Sequence, residues 1–423
     1  MRAFTVMAAV YALRAPAPSG DEPAREHVRH PGDGRVAAAA AGPLSVRSRS
    51  CVSDGGHVTT ARPRILICAN AKARDNYVVG PAAERLSVLA DRSFLLSEGA
   101  AAPAGTGWQW GGPSIDPGDR VRLKAALGDI DALIVCHGAP LIDDEILATA
   151  PRLRLIGELE GDRFANRIDV EAAAARGIRV VDTTHGSSPP VAEWALGLIL
   201  VGLRNAGAHF RRLVAGEFYR IGADRGSDPG WRMSELTGRR VGLIGLGHIG
   251  RRLVELLAPF RCDIAVHDPY VPKEVALASH VELTSLEDVM SREVVVCCAP
   301  ITPRTHRMIG APQLALLRPD SVFVNVSRGA IVDPDALIAR AKQDDGVRFA
   351  LDVFDPEPIP VESEIRRLPN IFLSPHIASL SQECGPRFFA FMVDELERFF
   401  GGRETMFDIT PHVLANRRGL PPT

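Results

Sequence analysis

From Arg64 onward, short apolar runs alternate with stretches of helical spacing. Arg64–Cys68, Asp131–Cys136, Leu153–Ile156 and Ile178–Val181 read as strands, with Leu141–Ala148 and Val170–Arg176 as helices between them. That alternation predicts βαβ units and a parallel sheet with helices on its faces. A second series begins at Arg240, with strands at Val241–Ile244, Asp263–Val266, Val294–Cys298, Ser321–Val326, Arg348–Leu351 and Ile371–Leu373. Between the two series, Val191–Arg204 is almost wholly apolar and follows Pro189 and Pro190, as suits a helix start. A helix apolar on most faces must be buried, between domains or between subunits. The chain closes with a helix near Gln382–Phe400, whose apolar face of Phe388, Phe389, Phe391, Met392, Leu396, Phe399 and Phe400 needs a partner surface, expected on the first series. Residues 1–61, rich in Ala, Arg, Gly, Pro and Ser, show no periodicity and are expected to be a disordered extension. The expected division is 62–185 with 380–423 as one domain and 186–379 as the other.

Composition narrows this picture only a little. A chain of 423 residues, 46% hydrophobic and 24% charged, is ordinary for two globular domains plus an extension. A net charge of −2 gives no electrostatic reason to expect nucleic acid or an anionic membrane as partner. No apolar run is long enough for a membrane span. The run Ala3–Leu13 after Arg2 loosely resembles a signal peptide, but recycling a soluble cofactor would argue against export. The seven cysteines form no C-x-x-C pair and no metal-ligand spacing, so no metal is expected; several sit in strand-like runs and read as buried, reduced thiols. A cytoplasmic location follows as the expectation.

The chemistry begins at Val241-Gly242-Leu243-Ile244-Gly245-Leu246-Gly247-His248-Ile249-Gly250, an apolar strand entering G-x-G-x-x-G and then a helix. Gly245 suits the tight turn, Gly247 the approach of a pyrophosphate, and Gly250 close packing of helix on strand. Asp268, ending the next strand, can accept hydrogen bonds from ribose hydroxyls and would repel the 2′-phosphate of NADP, with no Arg following it to bind one. NAD is therefore the expected cofactor.

Three later segments end strands of the same series: Asn325-Val326-Ser327-Arg328-Gly329, then Asp352 to Pro358, then Ser374-Pro375-His376-Ile377-Ala378. Together they supply an Arg, acids and a His. Reduction of a 2-oxo acid wants a cation to hold the carboxylate, an acid to protonate the oxygen, and a carboxylate to orient that acid and favour its charged form.

On these segments the chain resembles the D-2-hydroxyacid dehydrogenase family, over about residues 64–400 and most strongly over 240–378. The resemblance implies a Rossmann NAD-binding domain plus a flavodoxin-like substrate domain, both doubly wound parallel sheets. It implies that Arg328 binds substrate, that His376 donates the proton, that Glu357 pairs with His376, and that Asp352 holds the nicotinamide carboxamide. The family's cofactor contacts carry over to His248, Ile249, Asp268, Val326, Ser327 and the backbone beginning at His376 and reaching Ser379. A homodimer built through the Val191–Arg204 helix is implied as well, with a small 2-oxo or 2-hydroxy acid as the partner molecule.

The chain departs from the family pattern on the substrate side. Where members carry an uncharged Gly-rich loop whose amides hold the substrate carboxylate, this chain has Glu158, Glu160 and Asp162, followed by Arg163 and Arg167. If the segment stays extended, Glu158 and Glu160 face the same side and would receive a hydroxyl or cationic group of the substrate; otherwise the arginines neutralise them and Arg328 alone anchors the carboxylate. The usual His before Ala-Pro is Cys298, and the common Gly after His376 is Ser379. A non-catalytic NAD-sensing protein of corepressor type, or a dehydrogenase of another small oxyanion, is the alternative.

Overall fold

The computed structural model describes residues 62–97, 113–161, 164–217, 233–344 and 346–421. The expected extension 1–61 lies outside them, as do Asp162 and Arg163. Five strands, β1 (Arg64–Ala69), β2 (Asp91–Leu96), β3 (Ala132–Val135), β4 (Leu155–Glu158) and β5 (Arg179–Asp182), form one sheet in the order β2-β1-β3-β4-β5. Seven more, β6 (Arg240–Ile244), β7 (Asp263–His267), β8 (Glu282–Leu283), β9 (Val294–Cys297), β10 (Val322–Asn325), β11 (Arg348–Leu351) and β12 (Ile371–Leu373), form a second in the order β12-β11-β10-β9-β6-β7-β8. Every pairing of named strands is parallel. These are the two doubly wound orders, flavodoxin-like and Rossmann, and in the second the order reverses between β6 and β9, where such sheets bind ligands.

Alternate side chains of each strand serve opposite faces, which is why the strands read as continuous apolar runs. Leu66, Leu133, Ile156 and Val180 build one core layer of the first sheet, while Ile65, Ile67, Ile134 and Leu155 build the other. Val241, Leu243, Val296 and Val324 do the same for the second sheet, opposite Ile244, Val295, Phe323 and Phe349. Two strands have no such signature. β2 is an edge strand with mostly exposed residues, and β8 is only two residues long.

The helix Cys384–Phe400 sinks Phe388, Phe389, Met392 and Leu396 into the core beneath β1, β3 and β4. Each such side chain contributes roughly 1.5–3 kcal/mol of burial, so the first sheet depends on the far end of the chain. The helix Ser188–Leu203 lays Val191, Ala195, Leu198 and Ile199 on the second sheet, while Leu200 stays exposed. It is thus a core helix of one sheet rather than one buried all round. Asn205, left-handed at φ 46°, turns the chain by 71° into the helix Ala206–Val214. Among the described residues no single helix is long and apolar enough to cross a membrane.

Candidate active site

Local backbone demands explain the residues around β6. Gly245 has φ +98°, and a Cβ there would come within 3.0 Å of the Ala299 backbone. A Cβ at Gly250 would lie 2.4 Å from the Gly245 carbonyl oxygen. Strand, turn and the helix His248–Leu257 therefore pack closely only with glycine at both places. Gly247 caps that helix, whose N-terminal amides face the turn. Asp268 is held by its own surroundings: the Leu246 N–H donates to Oδ2 at 2.8 Å, and the Tyr270 and Val271 N–H groups donate to Oδ1 at 2.9 and 3.2 Å. Oδ2 keeps capacity for a further donor, such as a ribose hydroxyl.

The second motif is a turn braced by one side chain. Asn325 accepts from the Ser327 N–H at 3.0 Å and donates to the Arg328 carbonyl at 3.1 Å. A Cβ at Gly329 would stand 1.9 Å from the Phe354 carbonyl group. Asn and Gly together thus press Arg328 against the segment that follows β11.

That segment holds Asp352, fully buried, and Glu357. Asp352 Oδ1 accepts from Trp194 Nε1 at 3.3 Å, from the Ser374 hydroxyl, and from the Ile377 N–H at 3.1 Å; Oδ2 accepts from the Ala378 N–H at 2.9 Å. These bonds pin the turn on which His376 sits at φ +53°. His376 Nδ1 meets Glu357 Oε1 at 2.8 Å. Trp194 and Ser374 went unnoticed in the sequence, since an indole within an apolar helix and a lone Ser carry no signal.

These parts meet in a cleft of about 450 Å³ lined by Gly247, His248, Ile249, Val326, Ser327, Arg328, Asp352, Glu357, His376 and Ser379 from the second sheet. A second cavity of about 340 Å³ shares Gly247, His248 and Cys298 with it and continues past Gly245 and Asp268. Gly250 lines neither and acts through packing. Arg251 and Arg304 also line the second cavity. Two arginines distant in the sequence thus stand in the cavity of Asp268, although none follows Asp268 itself. Cys298 joins the two cavities, its thiol pushed up by burial.

The substrate-side loop departs from the extended reading. The chain bends after β4, so Glu158 and Glu160 lose their common face. Glu158 and Arg167 are both fully buried and paired through Oε1 and Nη1. Burial pushes Glu158 up to about 7 against the pull of Arg167. Arg167 also donates to the Glu160 carbonyl at 2.7 Å and, from Nη2, to His137 Nδ1 at 3.2 Å. A guanidinium only donates, so His137 carries its proton on Nε2 and gives it to Glu160 Oε2 at 2.8 Å. Tyr77 donates to the same oxygen at 2.6 Å. Burial works to raise the Glu160 carboxyl, yet His137, Tyr77 and the Arg167 charge hold it below the ordinary carboxylate range. Glu160 alone of the two acids lines the cleft, with His137, Asn166, Thr184 and His185. Burial lowers His185 to about 4.

Several of the loop's described amides are already used. The Gly161 N–H donates to Thr184, Phe164 and Asn166 donate to the Gly161 carbonyl, and Ala165 donates to Asp182. Cys136, His137 and Glu160 lie close enough to hold a cation, but the Arg167 guanidinium on the same cluster opposes one.

A doubly wound domain with a glycine-tight turn at the head of a helix opens here on an Arg and a His–Glu pair, the layout of a dinucleotide-binding domain with acid–base groups at its cleft. A profile of the D-isomer specific 2-hydroxyacid dehydrogenase NAD-binding domain matches residues 196–378. The chain is 30% identical over 318 residues to the glyoxylate reductase of Pyrococcus horikoshii, covering 74% of this chain and 87% of that protein. It belongs to the D-isomer specific 2-hydroxyacid dehydrogenase family. It is also 33% identical over 283 residues to the D-3-phosphoglycerate dehydrogenase of Methanocaldococcus jannaschii, covering 66% of this chain and 52% of that protein. The chain thus spans about half the length of the phosphoglycerate dehydrogenases it matches. In fold it is similar to a phosphoglycerate oxidoreductase from Rhizobium etli, with a TM-score of 0.66 at 24% identity over 82% of this chain and 97% of that one.

Proposed function

We propose that this protein transfers a hydride between NAD(H) and a 2-oxo or 2-hydroxy acid. The observation that carries the reading is the His376–Glu357 pair at 2.8 Å, in the same cleft as Arg328 and continuous with the glycine turn. Close backbone packing at Gly245 and Gly250, the helix N-terminus and the Asp268 carboxylate suit a bound dinucleotide. Bound there, the nicotinamide supplies or accepts the hydride. Arg328 grips the substrate carboxylate and polarises the neighbouring carbonyl. Glu357 holds His376 by Nδ1, so Nε2 carries the proton that reaches the carbonyl oxygen on reduction and takes it back on oxidation. Asp352 keeps the His376 turn in place and has capacity on Oδ2 for the carboxamide N–H.

In this reading residues 62–185 with 380–423 form the substrate domain and 186–379 the cofactor domain, with substrate held between. Several loop amides are committed internally, and in this reading Arg328 is the main anchor of the carboxylate. Glu160, kept ionised, accepts a hydroxyl from the far end of the substrate. Larger hydroxyl-bearing 2-oxo acids rank ahead of glyoxylate and pyruvate on this account. Phe210, Leu213 and Val214, exposed on the helix after Ser188–Leu203, offer an apolar face for a homodimer. The free thiols of Cys68, Cys136 and Cys297 suit a cytoplasmic location.

The test is NADH oxidation against a panel of small and of hydroxyl-bearing 2-oxo acids. Turnover of the larger ones, reduced in the Glu160→Gln variant, is the expected result. Tight NADH binding with no turnover of any member would replace this reading with that of an NAD sensor.

A further inference from the structure

The second cavity is walled on one side by residues that belong to neither of the motifs above. After the helix Cys384–Phe400 the chain doubles back along β5: the Asp182 N–H donates to the Phe407 carbonyl at 3.0 Å and the Ile409 N–H to the Val180 carbonyl at 2.9 Å. Glu395, buried in the preceding helix, fixes the start of this tail by accepting from the Met406 and Phe407 N–H groups. Ile409 and Leu414 rest on the core of the first sheet. From that anchorage the helix Pro411–Arg417, capped by Thr410, brings His412, Val413 and Asn416 to the cavity that holds Gly245, Asp268 and Tyr270. The far side is tied down too, since the Tyr270 hydroxyl donates to the Leu420 carbonyl at 2.9 Å and its ring meets that of His412 edge-on.

Asn416 gives this wall a chemistry. It is only 8% exposed. Its carbonyl takes the Gly419 N–H, but among the described residues no group hydrogen-bonds to its side-chain amide. Asn416 lines the cavity, so its amide is open to a hydrogen-bonding ligand there. An Asn side chain presents one acceptor and two donors side by side, which matches the amino group and ring nitrogen on an adenine edge. Asp268, in the same cavity, marks where the neighbouring ribose belongs.

We infer that the C-terminal tail completes the adenosine end of the site and that Asn416 reads the adenine edge of the dinucleotide. The inference rests on the NAD reading above and adds to it a base-specific contact. Residues anchored on the first sheet thereby hold a ligand of the second.

The test is binding, followed by nucleotide fluorescence, of three reduced probes. These are NADH, its hypoxanthine analogue, in which an oxygen replaces the adenine amino group, and nicotinamide mononucleotide, which has no adenosine. Wild type should bind NADH about tenfold more tightly than the hypoxanthine analogue, as for loss of a paired contact to a base. N416L, which keeps the helix apolar and intact, should bind the two dinucleotides alike and the mononucleotide as wild type does. Removal of residues 411–423 should weaken NADH and leave the mononucleotide unchanged. Equal binding of NADH and its analogue by wild type, or an undiminished preference in N416L, would overturn the inference and leave the proposed reaction standing. A wild-type protein that binds no reduced probe would overturn both.

Discussion

The two walls of the cleft are built on different principles. On the cofactor side most of the functional side chains are fixed by backbone groups of strand-end turns: Asn325 across its own turn, Asp268 by Leu246, Tyr270 and Val271, Asp352 by Ile377 and Ala378. On the substrate side the polar groups fix one another, in a chain from Tyr77 through Glu160 and His137 to Arg167 and Glu158. Loss of one side chain there frees the turn it braces but leaves only neutral groups unpaired. In the second, loss of Arg167 strands Glu158, with which it is fully buried, and removes a donor from His137 and from the Glu160 carbonyl. Rigid backbone anchoring suits chemistry shared across a family, and a side-chain network suits a binding surface particular to one substrate.

That contrast can be broken first at His376. His376→Asn should lower kcat by about 10²–10⁴-fold, the usual contribution of a positioned general acid, with NADH affinity unchanged by fluorescence titration. A comparable loss of NADH binding would show that the turn, rather than the proton, had been damaged. On the opposite wall, Arg167→Met should cost stability instead, about 3–5 kcal/mol in urea unfolding, because it strands a buried acid. The double variant with Glu158→Gln should recover part of that loss, and strict additivity of the two would show that the pair does not act as a unit.

The pH dependence sharpens the same point. Glu158 binds its proton more tightly folded, at about 7 against an ordinary 4.5. The stabilisation this gives is fully present below about pH 4.5 and is lost as pH rises through about 7. The stability of wild type relative to Glu158→Gln should therefore fall by about 3 kcal/mol across that window. A difference that stays constant with pH would mean that Glu158 is ionised throughout. The smallest effect is expected at Asp268. Asp268→Ala should weaken NADH binding by about 1–2 kcal/mol and narrow the gap to NADPH, for which Arg251 and Arg304 already stand in the cavity.

The same division decides what could be read from the sequence. Strands such as Val294–Cys297 and Ala132–Val135 declare themselves because both faces are buried, so every residue is apolar. β2, an exposed edge beginning Asp91-Arg92-Ser93, has no such run and was missed. Gly245, Arg328, Asp352 and His376 lie within short segments that end strands, and a linear pattern preserves that order. Tyr77 and His137 meet Glu160 from distant parts of the chain and nothing in the linear pattern joins them, whereas Arg167, seven residues on, was legible as a neutralising cation. The acid-bearing loop misled for a related reason: the alternation of faces holds only in extended chain, and the chain bends after Glu158. Asn416 gave no signal at all, since an unpaired amide can be recognised only once its surroundings are known.

The central claim is that the cofactor wall moves a hydride to the carbon beside a carboxylate held by Arg328. It is tested most directly with NADH carrying deuterium on the transferable position at C4. After incubation with a 2-oxo acid that the protein turns over, the account predicts deuterium at C2 of a D-2-hydroxy acid, with no labelled product from His376→Asn on the same time scale. Label retained in the nucleotide, or a hydroxy acid formed without deuterium at C2, would contradict it.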